Sequence, residues 1–107
     1  MGTRKDRIIT SFQKIVTQKI SQCKVILFGS RATGTFTKDS DYDFLLISPK
    51  FREWEWEERS AKMYYLKRNI PAAMDIICLT PEEFEKKRKQ IGVIQEAFRE
   101  GVEITAA

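Results

Sequence analysis

An α/β fold, a small sheet covered by helices, is what this sequence predicts, and three observations carry it. Stretches with apolar residues at three- and four-residue spacing alternate with short β-rich runs. Those runs, Val25-Ile26-Leu27-Phe28 and Ile76-Ile77-Cys78-Leu79 among them, read as short strands. Hydrophobic residues make up 42% of the 107 residues, with only five Gly and three Pro, the balance of a packed chain. Domains run to roughly 100–200 residues, so residues 1–107 are expected to form one domain.

In chain order, Ile8, Ile9, Phe12, Ile15, Val16 and Ile20 fall on one helical face. Thr3 with Asp6 reads as an N-cap and its N3 acid, which predicts a first helix over about 4–20. Lys24 to Phe28 reads as a buried strand stopped by Gly29, and Gly29 to Ser40 as a small-residue turn region with Gly34 inside it. Asp41 to Ile47 is the expected second strand, ended by Ser48-Pro49. Phe51 to Arg68 reads as a helix with Trp54, Ala61 and Tyr65 along one side. Ile70-Pro71 breaks it, because the residue before proline is pushed away from helical geometry. Ala72 to Leu79 is the expected third strand. Thr80-Pro81-Glu82-Glu83 then supplies an N-cap, a proline at N1 and an acid at N3, which opens a helix. Lys86-Lys87-Arg88-Lys89 follows those acids, as a helix macrodipole prefers, and so reads as a solvated helix end. A last helix is expected over Val93 to Arg99, then Gly101 and a short extended tail.

The absence of His excludes imidazole chemistry: no Ser-His-Asp triad, no Cys-His pair, no His-ligated zinc. Two cysteines, Cys23 and Cys78, make neither a zinc site nor a disulfide framework and read as small buried hydrophobes. The apolar runs fall far short of the roughly 20 residues of a membrane span or the ~7–15 of a signal-peptide core. The expectation is a soluble cytoplasmic protein without membrane association. A net charge of +4 favours polyanionic partners without identifying one.

The candidate chemistry begins at Asp41-Tyr42-Asp43. Side chains alternate along a strand, so the two carboxylates face one way and Tyr42 the other. Neighbouring carboxylates repel and stay ionised together around a cation, and hard oxygen ligands suit Mg²⁺. Asp75 sits inside the apolar third strand, where an unpaired buried charge would be costly. It is expected either to pair with Arg31 or Lys67, or to lie beside Asp41 and Asp43. In the second case three carboxylates could hold a pair of metal ions ~3.5–4 Å apart, suited to displacement at phosphorus. Phe28-Gly29-Ser30-Arg31 adds a turn where Gly29 permits close backbone approach. The following N–H groups and the Ser30 hydroxyl can hold phosphate oxygens, and Arg31 can neutralise charge. No Gly-Lys-Ser/Thr follows, so this is not a Walker loop.

Together, Gly29-Ser30-Arg31-Ala32-Thr33-Gly34-Thr35, then Ser40-Asp41-Tyr42-Asp43-Phe44-Leu45, with Asp75 in a later strand, resemble a known pattern. It is that of the minimal nucleotidyltransferase domain, within the nucleotidyltransferase superfamily of the DNA polymerase β type. The resemblance extends over nearly the whole chain, including the Glu100-Gly101-Val102-Glu103-Ile104 tail. It implies a small mixed β-sheet covered by helices. It also implies nucleotide-phosphate binding by Gly29 and Ser30 with Arg31 beside them, and Mg²⁺ binding by Asp41 and Asp43. Asp75 would complete the metal site or help to deprotonate the attacking hydroxyl. The implied reaction uses ATP, with two Mg²⁺ ions, and places AMP on a hydroxyl with release of pyrophosphate. Larger relatives carry an added helical domain, so the acceptor is expected on a partner. Members of this type resemble antitoxins paired with a HEPN-domain ribonuclease toxin, which they neutralise by transferring AMP to its tyrosine hydroxyl. A homo-oligomer is compatible with this reading.

Phe51, Trp54, Trp56, Tyr64 and Tyr65 form a partner surface or ordinary core; spacing favours core for Trp54 and Tyr65 and surface for Trp56. The surface reading supports an alternative, a non-catalytic antitoxin that silences a HEPN ribonuclease by contact. Direct nucleic-acid binding rests on charge alone, since no recognition motif of that class is present.

Overall fold

The first helix begins where its cap does. Asp6 is extended, and its carboxylate accepts from the N–H groups of Ile8 and Ile9 at 2.9 and 3.3 Å. Helix α1 therefore runs Arg7–Lys19 in this computed structural model, which describes residues 6–105. Asp6 is thus the cap itself rather than an N3 acid, and Thr3 lies outside the described residues. Ile9, Phe12 and Val16 form the buried stripe of α1.

Strand β1 (Lys24–Phe28) leads into the one-turn helix α2 (Ser30–Thr33), and β2 spans Tyr42–Ile47. A 3₁₀ turn (Pro49–Glu53), helix α3 (Trp56–Leu66) and strand β3 (Met74–Leu79) follow. Helices α4 (Pro81–Lys87) and α5 (Val93–Glu100) precede a last strand β4 (Val102–Ile104). The sheet has the order β3-β2-β1-β4. β1 is antiparallel to both of its neighbours, whereas β2 and β3 are parallel, joined by the α3 crossover. The extended tail is thus a strand paired on β1. Among the described residues, no helix is long and apolar enough to cross a membrane.

Alternation divides the sheet's side chains between two cores. Val25, Leu27, Phe44, Leu46, Ile76 and Cys78 face α1, Phe51 and Met63. Phe28, Leu45, Ile47 and Leu79 face α5, packing on Ala97 with Ile94 and Phe84 beside them. Both cysteines are free, and Cys78 is buried. Burial pushes each thiol up to about 12, so both stay protonated and behave as apolar groups.

Three expectations are corrected. The 51–68 stretch is not one helix: Trp54 is extended (φ −126°, ψ 147°), and the chain restarts at Trp56 behind the Glu55 capping box. The buried residues of α3 are Arg59 and Met63, whereas Tyr65 is 65% exposed, so the periodicity assigned the wrong side to the core. Trp54 does pack against the core, and Trp56 lies at the surface. Arg59 tolerates burial because its guanidinium donates to the carbonyls of Trp54 and Cys78 and pairs with Glu83 at 2.7 Å. Burial alone would raise the Glu83 carboxyl, but the bonds from Arg59 and the Thr80 N–H reverse this and hold it low. Glu83 also closes the expected capping box with Thr80. The third strand starts at Met74 rather than at Ala72, whose N–H turns back onto the Ile70 carbonyl at 2.9 Å.

Candidate active site

Glycine at position 29 is required twice over. Its φ of 75° lies in the region that side-chain-bearing residues avoid. A Cβ built there would also sit 2.2 Å from Asp43 Oδ2. The bend after β1 therefore lies directly against the Asp43 carboxylate. Ser30, half-buried, opens α2 at this bend.

Asp43 is the second residue of β2 and lies in register with Phe28 on one side and Asp75 on the other. Alternation places Asp43 with Leu45 and Ile47, and Asp75 with Ile77 and Leu79, so both carboxylates emerge on the α5 face. The cleft between them has a volume of ≈ 290 Å³, with Phe28, Tyr64 and Val93 also in its wall. Burial first, then the charges of Asp75, Asp41 and Glu96, raise the Asp43 carboxyl above its ordinary value. Asp41 does not open the strand as expected: it precedes the first strand residue, Tyr42, and is exposed, though near enough for its charge to act on Asp43.

Asp75 corrects a premise. It lies in an apolar strand but is exposed, on the edge strand of the sheet and in the wall of an open cleft. Neither ion pair considered for it forms. Lys67 donates to the Ala72 carbonyl, while Arg31 serves the loop before β2. The Arg31 guanidinium donates to the carbonyls of Ser40, Thr37 and Lys38 at 3.1–3.3 Å. It also lies 4.0 Å from the ring centre of Tyr42 and 4.7 Å from that of Phe36. Tyr42 in turn donates to the Asp6 carboxylate at 2.9 Å.

Among the described residues, no group of three acidic or sulfur ligands is assembled as a ready-made metal cage, so the expected three-carboxylate enclosure is not preformed. What is present is a facing pair of carboxylates whose repulsion calls for a cation. That donor set fits a hard divalent ion completing its shell with water and phosphate oxygens. Two nearby residues escaped the sequence analysis. Glu96, on α5, reads as an ordinary solvent-facing acid, and no local signal separates it from its neighbours. Tyr64, expected on a partner surface or in ordinary core, instead lines the cleft.

Two solved structures share this architecture. A candidate nucleotidyltransferase from Sulfolobus solfataricus superposes with a TM-score of 0.62 at 23% identity, over 91% of this chain and 76% of that one. A second candidate nucleotidyltransferase gives a TM-score of 0.55 at 17% identity, over 76% of this chain and 87% of that one. At these identities the likeness is one of fold. No curated protein matches the chain. The nucleotidyltransferase domain family matches residues 9–101, a span that takes in the bend, the acids, strands β1 to β3 and α5. The chain therefore belongs to the nucleotidyltransferase domain family, whose chemistry is transfer of a nucleotidyl group.

Proposed function

We propose that this chain is a cytoplasmic adenylyltransferase that moves AMP from ATP onto a hydroxyl, the acceptor being a tyrosine of a HEPN-domain toxin partner. The observation that carries the reading is the in-register pair Asp43–Asp75 against the Gly29 bend. The bend and Ser30 receive the triphosphate. Asp41 and Asp43 would hold Mg²⁺, with Asp75 completing the site. When bound, Mg²⁺ neutralises charge on the triphosphate and on departing pyrophosphate. The acceptor oxygen bonds to the α-phosphorus as the bond from that phosphorus to the bridging oxygen breaks and pyrophosphate leaves. Alternatively to completing the metal site, Asp75 would help to take the hydroxyl proton. Positioning and charge neutralisation dominate catalysis of this kind. Arg31 enters as the residue that holds the loop carrying Asp41.

Labelled ATP and Mg²⁺, incubated with the co-encoded partner, are expected to label that partner with wild-type protein and not with Asp43→Ala. Equal labelling by both, or none by either, ends the reading. Contact-only neutralisation has the exposed Trp56 and Tyr65 in its favour. It requires the Asp41→Ala/Asp43→Ala double variant still to neutralise the toxin.

A further inference from the structure

β3 is an edge strand with β2 on one side only, and Asp75 is its second residue. The peptide groups of Met74 and Ile76 that face away from β2 have no strand to bond. One side chain takes that place: the Tyr64 hydroxyl donates to the Met74 carbonyl at 3.0 Å and accepts from the Ile76 N–H at 3.2 Å. A single oxygen thus ties the two peptide groups that flank Asp75, using both its donor and its acceptor capacity. Met63, its neighbour on α3, is buried in the core on the opposite face, so α3 is anchored there while Tyr64 reaches the sheet edge. The tie sits where it is needed. Repulsion between Asp43 and Asp75 pushes this end of the β2–β3 ladder apart.

We infer that Tyr64 is a positioning residue that holds the Asp75 carboxylate level with Asp43, so that both face one divalent cation. The inference rests on the proposed metal-dependent site, but it concerns geometry that exists before any nucleotide arrives. Tyr64→Phe keeps the ring and removes both bonds. The freed peptide groups lie at a part-buried sheet edge beside the cleft that Tyr64 lines, within reach of water.

The test is a Mn²⁺ titration of the full chain, reading free ion by electron paramagnetic resonance, on wild type, Tyr64→Phe, Asp75→Asn and the double variant. Tyr64→Phe is expected to weaken binding by roughly threefold to tenfold, the scale of one or two net hydrogen bonds. The double variant is expected to bind no more weakly than Asp75→Asn, because Tyr64 acts through Asp75. Unchanged Mn²⁺ affinity in Tyr64→Phe overturns the inference, as does a full additive loss in the double variant or a wild type that binds no Mn²⁺. The transfer assay separates the two readings. A wild type that labels its partner while Tyr64→Phe binds Mn²⁺ normally removes only this inference. A wild type that never labels, with Mn²⁺ binding weakened as described, removes only the transfer reading.

Discussion

The parallel ladder between β2 and β3 has the same backbone geometry from end to end, yet its two ends carry opposite chemistry. At the far end Leu46 lies opposite Cys78 and Ile47 opposite Leu79, all four buried. Apolar burial of this kind contributes about 25 cal/mol per Å². At the near end Asp43 lies opposite Asp75, and like charges directly across a ladder are unfavourable. The near end is also where the last residue of antiparallel β1, Phe28, meets Asp43 and the chain bends at Gly29. The lesson is a division of labour along one pair of strands. The buried end holds the strands together firmly enough for the acidic end to keep two like charges in register.

Four measurements can break or sharpen that contrast, beginning with the largest effect. Asp43→Ala should cut nucleotidyl transfer by roughly 10²–10³-fold while the chain still unfolds cooperatively, because the loss falls at the acidic end alone. A transfer rate within a few-fold of wild type, measured by label incorporation, would break the assignment of chemistry to that end. Leu46→Ala acts at the other end, in a side chain with no exposure. It should cost about 3 kcal/mol in urea unfolding, from the lost transfer energy and the cavity left behind.

Gly29→Ala should cost about 1–3 kcal/mol from its backbone strain. Its clash with Asp43 adds to this, so the cost should shrink when Asp43 is also truncated to Ala, a coupling that a double-mutant cycle reads directly. The smallest effect is the pH dependence of Asp43. Its folded pKa is raised, so the native state binds more protons than the unfolded chain between the ordinary carboxylate value and the raised one. Stability contributed by this group is therefore lost as pH rises through that window. Asp43→Asn should flatten this slope and melt a few degrees higher at neutral pH, and added Mg²⁺ should raise the melting temperature of wild type more than that of the variant. A variant that melts lower than wild type at neutral pH would show that the near end is not repulsive.

Local signals made much of this legible in the sequence. The Thr80–Glu83 capping box and the Gly29 bend are encoded by residues a few positions apart, as is the alternation that carries Asp43, and such spacing reports short-range geometry. The pairing of Asp43 with Asp75 was legible as one of two alternatives, and register decided it. What escaped depends on partners distant in the chain. Arg59 looks like a surface charge until Glu83 and the Cys78 carbonyl surround it, and that misplaced the buried side of α3. The exposure of Asp75 follows from the place of β3 at the edge of the sheet beside an open cleft, which no strand pattern contains. Likewise, Tyr64 closing the edge of β3 involves two peptide groups 10 and 12 residues away.

Arg31 has one further consequence. Its guanidinium, laid between two rings and bonded to three loop carbonyls, fuses the helix that follows the glycine bend to the loop that delivers Asp41. The proposed phosphate grip and the proposed cation ligand are thereby parts of one rigid body. Little conformational entropy is left to surrender when substrate arrives, which favours tight binding of a small triphosphate at the proposed site.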